Sequence, residues 1–208
     1  FQEYRDNDGK FQWLFRKDGC MHCTDAACVK VCPSGALYHT PLKTVGIHRD
    51  KCIGCKECIA ACPFDVPRHD KATDKVYKCD LCYNRIEQSV PPACVKSCIT
   101  RALMIGPKDE MIKKAYARVK KLGGDANVYG DKFVGGTHVI YVLQYKPEVY
   151  DHLPANPKVP LSVIVWKDLL KPLSLLAAGG VLGGAFLHYI THGPKTPKED
   201  GPEQKGGE

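Results

Sequence analysis

No initiator methionine opens the sequence, which starts Phe1–Gln2–Glu3–Tyr4, and no leader of charged, apolar and cleavable parts follows. The chain therefore reads as processed or, preferably, as missing an upstream piece. It also lacks a nucleophile–base pair, a paired-carboxylate site and a phosphate-cradling loop. Those absences exclude the common catalytic centres, so the chain reads as a non-catalytic part of an enzyme. Residues 193–208 hold no large apolar side chain, which predicts a disordered tail. Residues 172–190 hold no Asp, Glu, Lys or Arg. That apolar run is just long enough to cross a hydrocarbon core of about 30 Å.

What the sequence has in excess is cysteine: twelve in 208 residues, all between Cys20 and Cys98. They fall into three runs. Cys20, Cys23, Cys28 and Cys32 are spaced C-x2-C-x4-C-x3-C-P. Cys52, Cys55, Cys58 and Cys62 are spaced C-x2-C-x2-C-x3-C-P. Cys79, Cys82, Cys94 and Cys98 are spaced C-x2-C-x11-C-x3-C. Runs this dense cannot pair all members as local disulfides without strain. The second run has the spacing of bacterial ferredoxins, in which three thiolates on a tight loop hold one 4Fe–4S cluster and the fourth serves the neighbouring cluster. Gly54 suits a turn passing close to such a cluster. Structural zinc is the rival, but it leaves the Cys-Pro ending and the third cysteine of each run unexplained.

The first two runs thus form one two-cluster unit. Cys20, Cys23, Cys28 and Cys62 hold one cluster; Cys52, Cys55, Cys58 and Cys32 hold the other. Residues 36–48 between them predict a β-hairpin. The third run repeats the first: CVKVCPSGAL (28–37) matches CVKSCITRAL (94–103). Either all four of its cysteines close on one cluster, giving three clusters, or an upstream run has been lost. In the second case, which is preferred, Cys79, Cys82 and Cys94 bind a third cluster and Cys98 completes a fourth. Ile99 stands where the analogy expects proline.

The formal charge of +7 would by itself suit nucleic acid. Anionic clusters offset most of that surplus, and no nucleic-acid partner is expected. Lys17, Lys30, Lys51, Lys78 and Lys96 lie beside cluster cysteines and are candidate counter-charges. His22 sits inside the first run, where four cysteines already suffice as ligands. His188 near the end of the apolar run reads as an interfacial histidine.

Beyond the runs, residues 108–122 predict an amphipathic helix presenting Met111, Ile112, Ala115, Val119 and Leu122, ended by Gly123–Gly124. Thr137–Leu143 predicts a strand. Residues 146–160 carry four prolines and predict an extended connector. The apolar run is flanked by Lys167, Asp168, Lys171 and Lys195, with Trp166 and Tyr189 placed for the two interfaces. The spacings Gly179/Gly183 and Gly180/Gly184 permit close approach of another membrane helix.

Several segments taken together resemble one family. They are RKDGCMHC (16–23), CIGCKECIAACPFDVPR (52–68), VYKCDLC (76–82), PACVKSC (92–98), GGTHVIYVL (135–143) and LPANPKVP (153–160). The chain is similar, over essentially its whole length, to the iron–sulfur β subunit of membrane-bound respiratory formate dehydrogenase. Its cysteine runs are also shared with subunits of dimethyl sulfoxide, nitrate, polysulfide and tetrathionate reductases, and a hydrogenase complex remains an alternative setting.

The resemblance implies an α+β fold of tandem ferredoxin-like 4Fe–4S domains with a single C-terminal transmembrane helix. Residues 1–19 and 70–145 would form an outer half whose partner run lies upstream. Residues 20–69 would form the inner half, 146–168 a connector, 169–192 the membrane helix and 193–208 the tail. Three clusters would be at least partly held by this chain, and four by the intact subunit. Implied partners are a catalytic α subunit with a molybdenum or tungsten bis-pterin centre, a cytochrome b γ subunit met through the membrane helix, and the lipid bilayer. The implied setting is the bacterial inner membrane, with the globular part periplasmic and the tail cytoplasmic.

Overall fold

Strands of three or four residues, paired two by two, recur through the first unit, Phe1–Ile164. The computed structural model describes residues 1–6 and 8–193, with Trp166, Lys167 and Asp168 described by their backbone alone. Four antiparallel hairpins occur in chain order: β1 (Gln2–Arg5) with β2 (Phe11–Leu14), β3 (Leu37–His39) with β4 (Val45–Ile47), β5 (Arg68–Asp70) with β6 (Lys75–Tyr77), and β7 (Asn127–Tyr129) with β8 (Tyr141–Leu143). The turns have local causes. The Asp6 carboxylate accepts the Lys10 N–H at 2.8 Å, and that of Asp70 accepts the Ala72 N–H at 3.0 Å and the Thr73 hydroxyl at 2.8 Å. An isolated hairpin is marginal in water, so these depend on what they pack against.

Short helices carry the cysteines between the hairpins: α1 (Ala27–Val31), α2 (Glu57–Ala60), α3 (Tyr83–Glu87) and α4 (Ala93–Lys96). One core joins Leu14, Met21, Phe64, Tyr129, Leu143, Tyr150 and Leu153. A second joins Ala26, Leu37, Val45, Cys58 and Val76, and the half-buried Cys23, Cys28, Cys32 and Cys52 pack against it. Cysteine-bearing loops are therefore structural walls of the core. The expected hairpin over residues 36–48 is β3–β4, with Leu37 opposite Ile47.

The expected helix at 108–122 is α5 (Lys108–Leu122). Asp109 and Glu110 in its first turn and Lys120 and Lys121 in its last complement the helix dipole. Its inner face holds Met111, Ile112, Ala115 and Val119, whereas Leu122 is 43% exposed because the helix ends there, at Gly123 with φ +68°. The strand expected over Thr137–Leu143 is shorter: only Tyr141–Leu143 pairs with β7. Gly135 and Gly136 turn at φ +73° and +82°, and Thr137 instead forms a lone bridge to Cys23.

The proline-rich segment is not a free connector. It contains a 3₁₀ turn at Pro147–Val149 and buries Tyr150 and Leu153 in the first core. The Tyr129 hydroxyl donates to Pro154 C=O at 2.6 Å, and α6 (Leu161–Ile164) seats Val163 against Ala27 and Ala61. At the other end, Phe11, Trp13 and Phe15 sit on the outward face of β1–β2 with Phe1, and Phe11 meets Trp13 edge-on at 5.2 Å.

The second unit begins at Val165. A π-helical turn, Val165–Leu170, leads into α7 (Lys171–His192). An 18-residue window of this 22-residue helix has a mean hydropathy of 1.6, and none of that window is buried. At 1.5 Å per residue the whole helix is about 33 Å long, the thickness of a bilayer core. Pro172, in the first turn of α7, has no N–H to donate back to the preceding helical turn, and it stands where the π-helical geometry gives way to α. Lys195 and the expected tail, beyond Gly193, lie outside the described residues.

Candidate functional site

The three C-x2-C loops share one backbone curl. The residue before the second cysteine is left-handed in each: His22 at φ +48°, Gly54 at +70° and Leu81 at +60°. For a residue with a Cβ this costs about 1–2 kcal/mol, and the return is a turned-in amide. The His22 N–H lies 3.4 Å from Cys20 Sγ, and the Leu81 N–H lies 3.4 Å from Cys79 Sγ. In the second run, Val76 of β6 supplies the N–H to Cys52 Sγ at 3.4 Å.

The fourth cysteines of the first and third runs also match. Cys32 Sγ sits 3.6 Å from the Ser34 hydroxyl, and Cys98 Sγ 3.4 Å from that of Thr100. Gly35 and Arg101 follow at φ +65° and +54°. Burial opposes ionisation of Cys32, but the amides of Leu37, Ala36 and Ser34 with the Ser34 hydroxyl outweigh it, and the thiol lies below its ordinary range. At Cys98 the Thr100 hydroxyl acts first, then the amides of Leu103, Ala102 and Thr100, and the thiol is lowered likewise. The repeat seen in sequence is thus a repeat of hydrogen-bond donors.

Two cavities lie in the first unit. One is lined by Cys20, Cys23, Cys28 and Cys62, with Val45, Phe64, Pro67 and Lys78 among its walls. The other is lined by Cys52, Cys55, Cys58 and Cys32, with Leu37, Ile47, Val76 and Lys56. Each cavity takes three cysteines from one run and the last from the other. Among the described residues no three Cys, His, Asp or Glu side chains converge as a single-ion site. Four thiolates on one zinc at about 2.3 Å would have to converge in that way. A ring of sulfurs around an apolar cavity suits a multi-iron group instead.

Four thiols in these walls, those of Cys20, Cys23, Cys28 and Cys58, resist ionisation unaided. Burial, with neighbouring Cys20 and Cys62, pushes Cys28 up to about 12. Burial with neighbouring Cys55 pushes Cys58 up to about 11, and Cys20 and Cys23 are raised for the same leading reason. A bound cation reverses that balance by ionising a coordinating thiol outright. The donor set therefore fits a polycationic iron core. All twelve cysteines are free thiols. Cys79, Cys82, Cys94 and Cys98 are half-buried, with Cys94 on α4 as Cys28 is on α1.

His22 is fully buried, and its Nδ1 accepts the Val45 N–H at 3.1 Å. Burial and then the charge of Lys78 push it down to about 3, so it is neutral, with the proton on Nε2. His188 is exposed on α7 and stacks on His192 at 4.3 Å.

Of the five candidate lysines, Lys78 alone lines one of the two cavities. Lys30 is paired with Asp25 at 2.6 Å, while Lys51 and Lys96 are exposed. Sequence reasoning missed Lys75, whose ammonium holds the Cys52 carbonyl at 2.7 Å, and Lys56 in the second wall. Lys56 adjoins Cys55 and Lys75 stands four residues before Cys79, and that adjacency was the available signal.

It also missed the clamp over the first run. Thr24 N–H donates to Gly136 C=O at 2.9 Å and Asp25 N–H to Val134 C=O at 2.8 Å. The His138 N–H reaches the Met21 and His22 carbonyls at 3.1 Å, and its ring Nδ1 lies 2.8 Å from His22 O. Thr137, fully buried, donates its N–H to Gly130 C=O at 2.8 Å. The segment 134–139 thus fixes the loop bearing Cys20 and Cys23.

Comparison with known proteins agrees with this geometry. A 4Fe-4S dicluster domain model matches residues 11–108, and a model described as formate dehydrogenase N, transmembrane, matches residues 159–202. The formate dehydrogenase iron-sulfur subunit of Haemophilus influenzae is 46% identical over 206 residues, covering 96% of this chain and 66% of that protein. The nitrate-inducible formate dehydrogenase iron-sulfur subunit of Escherichia coli is 46% identical over 210 residues, covering 98% and 71%. A polypeptide of the anaerobic dimethyl sulfoxide reductase of Escherichia coli is 46% identical over 95 residues, 46% of each protein. The chain thus spans about two thirds of the length of its formate dehydrogenase relatives. With its dicluster domain and its C-terminal membrane segment both matched, the chain belongs to the family of formate dehydrogenase iron–sulfur subunits.

Proposed function

We propose that this chain is the electron-conducting subunit of a membrane-bound formate dehydrogenase. Cys20, Cys23, Cys28 and Cys62 would hold one 4Fe–4S cluster and Cys32, Cys52, Cys55 and Cys58 a second. Cys79, Cys82 and Cys94 supply three ligands of a third, and Cys98 one ligand of a fourth. The remaining ligands come from a run in the part of its relatives that this chain does not span. The reading rests on one observation above others: each cavity takes three cysteines from one run and the fourth from the other. The donors around Cys98, which copy those around Cys32, favour four clusters over three.

Clusters of this kind accept and release single electrons, with potentials set by hydrogen bonds to sulfur, net charge and exposure. This chain contributes the amides of His22, Val76 and Leu81 to sulfur, apolar walls that exclude water, and nearby lysines. A partner with a molybdenum or tungsten bis-pterin centre would oxidise formate and feed the row. A cytochrome b partner, met through α7, would pass electrons to quinone. The complex would sit in the bacterial inner membrane with the cysteine-bearing unit periplasmic and the tail cytoplasmic. The match at residues 159–202 favours formate over dimethyl sulfoxide as the partner chemistry, because the reductase polypeptide matches over only 95 residues.

The test is low-temperature electron paramagnetic resonance on the native membrane complex before and after anaerobic formate. Reduced, mutually coupled 4Fe–4S signals are expected within the turnover time. Signals that appear with dithionite but not with formate would assign the same wire to another donor.

A further inference from the structure

Lys78 occupies a place that no other lysine among the described residues shares. It follows β6, its side chain is half-buried, and it lines the cavity of Cys20, Cys23, Cys28 and Cys62. Its ammonium donates to two carbonyls, that of Val45 in the wall of that cavity and that of Cys79, which opens the third run, at 2.9 Å. Val45 is itself held from the other side, because its N–H donates to His22 Nδ1 at 3.1 Å. One cation is thereby fixed between the first cavity and the third run.

We propose that Lys78 is a shared counter-charge, a positioning residue that raises the reduction potentials of the clusters at Cys20/Cys23/Cys28/Cys62 and at Cys79/Cys82/Cys94 together. The inference rests on the ligand assignment above. Two hydrogen bonds to backbone carbonyls fix the ammonium in place, so little side-chain freedom is left to dilute its field. Each added electron places a negative charge beside a fixed positive one, and a partly desolvated pair is screened less than a surface pair. Lys75 does not substitute, since its ammonium is engaged by the Asp50 and Cys52 carbonyls at the second cavity.

The experiment is a redox titration of the anaerobic membrane complex, followed by electron paramagnetic resonance. Cys28→Ser and Cys82→Ser identify the signals of the first and third sites. In Lys78→Gln and Lys78→Met, both signals are expected to fall together by roughly tenfold in the reduction equilibrium, about 59 mV for one electron. The signal of the second site stays put, and so do all signals in Lys78→Arg and in the exposed control Lys120→Gln. Unchanged potentials in whichever neutral variant carries its iron would overturn the proposal, and so would a shift confined to the second site. Loss of iron from all three Lys78 variants would make the residue a structural staple and equally overturn it. If Cys28→Ser and Cys82→Ser each leave every signal intact, the ligand assignment itself fails, whatever Lys78 does.

Discussion

Gly54 combines two kinds of strain that a pair of substitutions can separate. It is left-handed at φ +70°, and a Cβ there would stand 2.5 Å from the Asp74 carbonyl oxygen and 2.8 Å from its carboxylate. Left-handedness alone is tolerated, since His22 and Leu81 bear side chains at the equivalent positions. The Asp74 carbonyl is backbone in the turn between β5 and β6, so it cannot swing away. Gly54→Ala should then cost about 1–2 kcal/mol for the conformation plus about 1–3 kcal/mol for overpacking. At 1.4 kcal/mol per decade the total weakens the loop by roughly 30-fold or more. Gly35 is the matched control: φ +65°, with nothing within 4 Å of its would-be Cβ. Gly35→Ala carries the conformational cost without the collision. The assay is a chelator challenge of the anaerobic complex, with iron release and resonance signals followed in time. Gly54→Ala should lose the Cys52/Cys55/Cys58 cluster first and at least about fivefold faster than Gly35→Ala. Equal rates in the two variants would show that Asp74 yields and that the turn is not rigid, contrary to the reasoning.

Two further outcomes follow from other elements. Thr137→Val removes a fully buried hydroxyl that reaches the Gly130 and Val139 carbonyls; the first keeps the Thr137 N–H, and the second loses its donor. An unsatisfied buried group costs about 1–3 kcal/mol, so thermal unfolding should drop by several degrees, with faster amide exchange at Thr24 and Asp25; a melt within one degree of the parent would discount the clamp. Leu182→Arg places a charge mid-way along α7 and should cost roughly 2.5–3.5 kcal/mol of membrane insertion. Fractionation should then find more of the chain outside the membrane pellet, and an unchanged distribution would argue that α7 does not cross.

How much is legible in the sequence follows from the range of the forces involved. Cysteine spacing is local, and it anticipates which four residues line each cavity, because a C-x2-C curl followed by one helical turn has few geometries. The bounds of α5 are legible from period and from Gly123. The Thr137–Leu143 strand is over-read by propensity: Val, Ile and Thr favour strands, yet Thr137 and His138 are claimed by the Met21–Cys23 loop more than a hundred residues earlier. The proline segment looks free in sequence because Tyr150 and Leu153 find their partners, Leu14 and Met21, near the other end of the unit. Lys75 looks like an ordinary surface lysine in a polar stretch, and nothing local sets Lys78 apart from the other lysines beside cysteines; only the fold turns both ammoniums onto cysteine loops.

The clamp also gives the protein a clock. The His22 carbonyl waits for His138, a partner 116 residues further along the chain. At typical synthesis rates of 5–20 residues per second that interval is about 6 to 23 s. Until it has passed, the loop bearing Cys20 and Cys23 lacks its partner segment 134–139, whereas Val76, the partner of Cys52, lies 24 residues on. By chain order alone, the contact that holds the Cys52 loop can form well before the clamp on the Cys20–Cys23 loop.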